Sequence, residues 1–459
     1  MPDVSHDELH DAFIASDRPH ILQITNHGIH QWDVIPGLPD TGGQNVFVNH
    51  LSDTLAQLGY RVTIVNRGGF DHPTTGEKRS GLHYRDASQR ILYIEDGVNE
   101  FVRKEDMDEH TPALAAFLLQ RLQAEGTPID LIISHYWDGA KVGVLLNRSL
   151  AQRVPHVWVP HSLGAVKKLN MSPDTWDHLR IDERIAVEKE LIKDLDGIAA
   201  TSSRIRQSLA DDYGYESHLF LPPCVDPERF HAHDLPADHD IWRFLADMTG
   251  LGPEEVRDSK IVTEISRTDT TKRKDVLIKA FAEAYRQNPD ALLVVAIDDT
   301  EAELAAALKA LIRDLGIESR TAAVGNVWDR LPDLYAATAV YVSPSVMEGF
   351  GMAVQEAAAT KVPVVSSDLV PFVTEYLLGD EVREVEFGGD TGRPMLEGEG
   401  AIVVPADDVP GFAKALETLL ADDSRRAAMG DRAYDITIPH FTWRGMTERF
   451  LEAVGAIGR

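Results

Sequence analysis

The sequence predicts an α/β protein built from two doubly wound domains facing a cleft, and three observations carry that prediction. Short β-rich runs alternate with longer helical patterns, as expected of parallel sheets covered by helices. The chain has 459 residues, more than one hydrophobic core usually serves. A connector, Pro222-Pro223-Cys224-Val225-Asp226-Pro227, separates two such series, and proline at that density interrupts regular structure.

In the first series strands are predicted over 20–25, 61–66, 89–94, 129–134, 155–160, 197–201 and 218–221. In the second they fall at 260–266, 291–297, 321–324, 339–343, 362–366 and 401–404. Helical spacing links them. Val48, Leu51, Leu55 and Leu58 share one face, and the stretch 300–315 is rich in Ala, Leu and Glu. The acidic stretch after the connector, to about Asp258, reads as an insertion or a helix pair. The predicted domains are 1–225 and 226–440, with a last helix, 441–459, crossing back to the first domain.

Composition narrows the function. Hydrophobic residues make up 43% and charged residues 26%, enough apolar material for sizeable cores. A formal net charge of −29 speaks against a nucleic-acid partner, which would need a basic stripe. An anionic ligand must therefore find local Lys and Arg clusters. A solvated surface and a high-salt habitat both account for the excess acid. The single cysteine, Cys224, excludes an intrachain disulfide framework and a Cys-rich zinc site. The first twenty residues lack a basic start followed by an apolar run. No window of eighteen residues is apolar throughout. A cytoplasmic protein with no membrane partner is expected.

Five clusters could do chemistry. Asp40-Thr41-Gly42-Gly43-Gln44 lies between a strand and a helix, where paired glycines and a helix N-terminus suit a diphosphate; a tight turn with a cap explains it equally well. Its spacing is not the dinucleotide fingerprint. Arg267 and Lys272 follow a strand and could stabilise the charge on a departing diphosphate, although Arg273 and Lys274 beside them also fit a solvated basic loop. Glu348-Gly349-Phe350-Gly351, with Glu356 two helical turns on, puts two carboxylates on one side of a helix start, either for sugar hydroxyls or for the helix dipole. His135 and His161 sit at predicted strand ends, where cleft residues lie. Arg103, Lys104, Lys167, Lys168 and Arg184 are local cations suited to a phosphate. Asp298-Asp299 is read as a helix cap, and no metal site is expected.

Taken together these segments resemble the retaining GT-B glycosyltransferases, two Rossmann-like domains, of the family (GT4) that holds sucrose-phosphate synthase and mannosylfructose-phosphate synthase. The resemblance runs from about residue 20 to the end. It rests on DTGGQ (40–44), RKE (103–105), SHYWD (134–138), PHSLG (160–164), PPxVD (222–226), SRxDxxK (266–272) and ExFGxxxxE (348–356), all in family order. It implies an N-terminal acceptor domain and a C-terminal nucleotide-sugar domain. Arg267 and Lys272 would hold the donor diphosphate near Gly42 and Gly43, and Glu356 the ribose. Glu348 and the amides of Phe350, Gly351 and Met352 would hold the transferred sugar. His161 would lie by its anomeric centre and 6-hydroxyl. Gln44, Arg103, Lys104, His135 and Lys167 would form the acceptor side.

The implied reaction is retaining hexosyl transfer by front-face attack, with the cleft closing around Asp226. It needs no metal or other cofactor, since the nucleotide-sugar is a co-substrate. UDP-glucose with fructose 6-phosphate is the favoured pair. GDP-mannose, a free sugar or a glycerate- or glycerol-type acceptor are the alternatives; an epimerase and a non-catalytic nucleotide-sugar-binding protein are the other classes. The chain departs from the family at Cys224, where glycine is usual, which suggests a stiffer hinge. It departs again at Asp368-Leu369-Val370-Pro371, where paired glycines are expected. It carries no appended phosphatase domain, so a separate phosphatase would process a phosphorylated product.

Overall fold

A computed structural model describes residues 5–33, 43–72, 75–168, 179–385 and 389–457. Gly42, with the rest of 34–42, lies outside the described residues. The chain divides into two compact units, Met1–Pro222 with Trp443–Arg459, and Pro223–Thr442.

The first unit is an eight-stranded sheet. Its strands are β1 (His20–Ile24), β2 (Arg61–Arg67), β3 (Gly81–Tyr84), β4 (Gln89–Ile94), β5 (Leu131–His135), β6 (His156–Val159), β7 (Gly197–Ala200) and β8 (Leu219–Phe220). The order is β3-β4-β2-β1-β5-β6-β7-β8, parallel except for β3. The order reverses between β1 and β5, which pair Ile21 with Leu131. In doubly wound sheets ligands collect outside the carboxyl ends of the strands at such a reversal.

The second unit repeats the plan with β9 (Lys260–Glu264), β10 (Ala291–Ala296), β11 (Thr321–Val324), β12 (Thr338–Ser343), β13 (Val364–Ser367), β14 (Arg383–Val385), β15 (Met395–Glu397) and β16 (Ala401–Val404). Its order, β11-β10-β9-β12-β13-β16-β15-β14, reverses between β9 and β12. Its pairings are parallel except β14–β15 and β15–β16.

Each predicted strand has its counterpart. The three unforeseen ones, β3, β14 and β15, are the antiparallel members at or near sheet edges. They are short, and β3 and β14 are half-exposed or exposed, so they carry no apolar run to read. The stretch after the connector contains two short helices, Asp240–Ala246 and Pro253–Arg257.

Both cores are sheet-on-helix layers. In the first, Leu22, Ile24, Val65 and Ile132 pack against Leu114, Leu118 and Val142. In the second, Val262, Leu293 and Val340 pack against Phe281, Leu308 and Phe412. Val48, Leu51 and Leu55 are fully buried on the helix Gly43–Gln57.

The chain leaves the first unit after Pro222 and returns at Trp443. Val225 bridges Thr442 and its N–H donates to the Phe441 carbonyl at 2.9 Å. The returning helix, Trp443–Ile457, lies in the first unit. There Trp443 stacks on His50 and meets Phe47 edge-on.

Candidate functional site

In the second unit the candidate residues gather at the carboxyl ends of β9, β12 and β13. Arg267 leaves the end of β9 with its side chain 87% exposed, 3.8 Å from Asp269. Lys272 closes the 3-10 turn Thr270–Lys272, and its Nζ donates to Glu348 Oε1 at 2.5 Å. The two loops are tied together, because Val346 N–H donates to the Thr271 carbonyl at 2.8 Å. Lys272 and Glu348 are thereby one charged pair, while Arg267 points out.

The basic-loop reading of Arg273 and Lys274 does not survive. Lys274 is buried, and its Nζ donates to Glu264 Oε2 at 2.6 Å and to Ser266 Oγ at 2.9 Å. Arg273, in the left-handed region at φ 48, pairs with Asp275 and Asp407. Neither is a solvated cation, which sets Arg267 and Lys272 apart.

Glu348 and Glu356 do not share a helix face. The helix is Met352–Ala359, so Glu348 lies in the loop before it and only Glu356 is helical. Gly351 caps that helix at φ 116 without a side-chain cap bond. The N–H groups of its first turn, starting at Met352, are thus left for other acceptors. A Cβ at Gly351 would lie 2.9 Å from Val370 Cγ1. Phe350 is buried and packs on Phe372 and Phe441. Tyr335 Oη donates to Glu356 Oε2 at 3.3 Å. Burial pushes the Glu356 carboxyl up to about 7, against the opposing pull of Tyr335 and Arg229.

Asp298-Asp299 does not cap the helix Ala302–Asp314, whose cap residue is Glu301. Asp299 opens a preceding 3-10 turn and pairs with Lys309 at 3.3 Å. Among the described residues no group of three or more His, Cys, Asp or Glu side chains is arranged to hold a metal ion.

In the first unit the strand ends carry histidines. His161, at φ 55, follows β6, and its Nε2 lies 2.9 Å from His135 Nδ1 at the end of β5. His135 Nε2 lies 2.9 Å from Gln23 Oε1, while Gln23 Nε2 donates to Ser52 Oγ at 2.6 Å. The Gln23 carbonyl can only accept, so His135 donates through Nε2 and accepts through Nδ1. His161 then donates through Nε2 and carries its lone pair on Nδ1. Burial holds the His161 imidazole down to about 3 and His135 well below its ordinary value, so both rings are neutral. Gln44 Nε2 donates to Thr25 Oγ1 at 2.7 Å, tying the helix after Gly43 to the end of β1.

A cavity of about 50 Å³ in this unit brings together Lys104, Tyr136, Lys167, Arg180 and Arg184, with Glu105, Asp108 and Glu183 also on its wall. Tyr136, at φ 63, receives Lys167 Nζ at 2.8 Å and Arg184 Nη1 at 2.6 Å on its hydroxyl. Burial opposes ionisation of this phenol, but Arg184 and Lys167 outweigh it and hold it down to about 8. Arg184 is locked from behind by buried Glu188 at 2.7 Å. Left-handed backbone at a non-glycine residue is a cost that tends to be kept at functional sites. Arg103 is not among the cavity's lining residues; it is half-exposed and pairs with Asp106 at 3.0 Å. Tyr136 has no role in the sequence reading beyond its place in SHYWD, and Glu188 none at all. The left-handed Tyr136 inside SHYWD has no local signal, and Glu188 is recognisable only through its i,i+4 spacing from Arg184.

Two doubly wound sheets, each with a reversal of strand order, have the plan of the GT-B fold. Comparison with known proteins makes it particular. Residues 41–229 match the family described as Glycosyltransferase Family 4, and residues 253–436 match Glycosyl transferases group 1. The chain is 31% identical to a mannosylfructose-phosphate synthase of Agrobacterium fabrum over 76% of each protein. It is 30% identical to a D-inositol 3-phosphate glycosyltransferase of Nocardia farcinica, over 92% of this chain and 86% of that one. The structure of sucrose-phosphate synthase from Thermosynechococcus elongatus superposes with a TM-score of 0.72 at 22% identity, covering 96% of this chain and 99% of that one. The chain belongs to glycosyltransferase family 4. No helix among the described residues is long and apolar enough to cross a membrane.

Proposed function

We propose that this glycosyltransferase moves a hexose from a nucleoside-diphosphate sugar to a phosphate-bearing sugar or polyol. The observation that carries the reading is the cluster of Lys104, Lys167 and Arg184 around one cavity in a protein of net charge −29. Clustered cations in an acidic chain suit a phosphate. The names of the mannosylfructose-phosphate and inositol 3-phosphate relatives point the same way.

On this reading Arg267 and Lys272 take the charge that develops on the leaving diphosphate. Glu348 and the free N–H groups at Met352 hold the hexose, Glu356 holds the ribose, and His161 Nδ1 accepts from a hydroxyl beside the anomeric carbon. Transfer retains configuration and requires no metal. The sequence motifs favour UDP-glucose with fructose 6-phosphate; the 31% identity to a mannosyl enzyme makes GDP-mannose the second donor to try.

The test sets UDP-glucose and GDP-mannose against hexose phosphates, inositol phosphate and their dephosphorylated forms, with nucleotide release as readout. The Lys104→Ala, Lys167→Ala double variant should lose phosphorylated acceptors far more than unphosphorylated ones. Equal losses on both would remove the phosphate pocket. No acceptor-dependent nucleotide release with any pair would remove the transferase.

A further inference from the structure

Two large apolar side chains stand exposed on the loops that follow β12 and β13, Met347 at 43% and Leu369 at 47%. Single exposed apolar residues are ordinary on protein surfaces; these two are distinguished by how they are held. Leu369 N–H donates to Ser367 Oγ at 3.3 Å, and Ser367 Oγ donates to the Ser345 carbonyl at 2.5 Å. The one Ser345 hydroxyl hydrogen is shared between the Met347 carbonyl at 3.1 Å and the Thr271 carbonyl at 3.2 Å. Both serines are buried. One hydrogen-bonded path thus joins the backbones of Leu369 and Met347 and ends one residue from Lys272.

The segment around Leu369 is equally fixed. Asp368 accepts from Ala406 N–H at 2.9 Å and from Arg393 Nη1 at 2.6 Å. Val370 is buried against Gly351. Met347 directly precedes Glu348, the partner of Lys272. Met347 is therefore held next in sequence to the charged pair, and Leu369 is tied to it through the serines, at the carboxyl ends of neighbouring parallel strands that pair Ser343 with Ser366.

We infer that Met347 and Leu369 form an apolar cover over the hexose of a bound nucleotide-sugar and keep water from its reacting carbon. The inference rests on the transferase reading above. The side reaction it suppresses is hydrolysis. A water oxygen bonds to the anomeric carbon, and the bond from that carbon to the diphosphate oxygen breaks. Its electron pair leaves with the nucleoside diphosphate, and the water proton passes to solvent. Apolar walls disfavour this step by excluding the nucleophile.

The experiment compares the full-length protein with Leu369→Ser, Met347→Ser and the double variant. Free hexose released from UDP-glucose or GDP-mannose without acceptor is measured, then transfer with acceptor. Leu315→Ser, an exposed apolar position after the helix Ala302–Asp314, is the control. UDP or GDP binding by calorimetry verifies each variant's fold, and the milder Leu369→Ala and Met347→Ala replace any that fails. The ratio of hydrolysis to transfer should rise about tenfold in the double variant, as for a barrier change of roughly 1.4 kcal/mol. It should stay at the native level in the control, with nucleotide affinity retained throughout. A ratio unchanged in folded variants overturns the cover, as does a parallel fall of hydrolysis and transfer. If the native chain uses no nucleotide-sugar, the transferase reading itself falls and takes the cover with it.

Discussion

His161 Nε2 and His135 Nδ1 lie 2.9 Å apart, and the Gln23 carbonyl on the far side of His135 sets which ring donates to which. A neutral pair ordered this way has a defined lone pair at His161. Replacing Gln23 by Leu removes the acceptor that selects the His135 tautomer, so turnover should fall by about tenfold, less than the roughly 10²–10⁴ that a positioned acid–base group supplies outright. Steady-state kinetics on the variant checks this, and nucleotide affinity should be retained because Gln23 lies in the first unit.

Burial also ties these histidines to acid stability. It holds His20, His156 and His161 down to about 3 and His30 to about 4, against an ordinary 6.5. The folded protein keeps them neutral while the unfolded chain protonates. Their contribution is therefore complete above about pH 6.5 and drains away as pH falls toward 4 and below. Tm should drop progressively on acidification from pH 7. A Tm flat between pH 7 and 5 would contradict this.

Lys272 should matter most in the reaction step. On the proposed reading Lys272→Ala takes a cation away from the leaving diphosphate and leaves Glu348 without its partner, so turnover should fall roughly 10²–10³-fold. Full turnover in this variant would sink its role. Arg267→Ala should cost less, because its side chain is 87% exposed and better screened.

Glu356 offers a pH test with a worked sign. Its carboxyl, raised to about 7 by burial, is ionised in the free protein only above that pH. Nucleoside diphosphate affinity should thus rise between about pH 6 and 8 as the carboxylate gains acceptors for ribose hydroxyls. In Glu356→Gln the rise should vanish. A raised folded value also means stability lost as pH climbs through 7. The Tm advantage of Glu356→Gln should accordingly grow from pH 5 to pH 8.

Much of the fold was legible because parallel strands buried on both faces are written as apolar runs. β10, with the sequence ALLVVA, is read at sight. β3 and β14 are not, since a half-exposed edge strand needs no such run. Motif positions were equally plain; partnerships were not. Lys274 looked like its neighbours until Glu264 was found 2.6 Å from its ammonium. Glu348 and Glu356 looked like one helix face until the helix began after the first of them. Tyr136 gives no sign in sequence that it would sit between Lys167 and Arg184, thirty-one and forty-eight residues further on.

The crossing of the chain at Pro222 and its return at Trp443 make the second unit a cassette spliced into the first. Both splice points meet at one place, where Val225 donates to the Phe441 carbonyl at 2.9 Å. A transplanted cassette would therefore have this paired seam, within the second unit itself, to bring its two ends together. Lineages could exchange the whole second unit by recombination at that seam and keep the first unit's sheet intact.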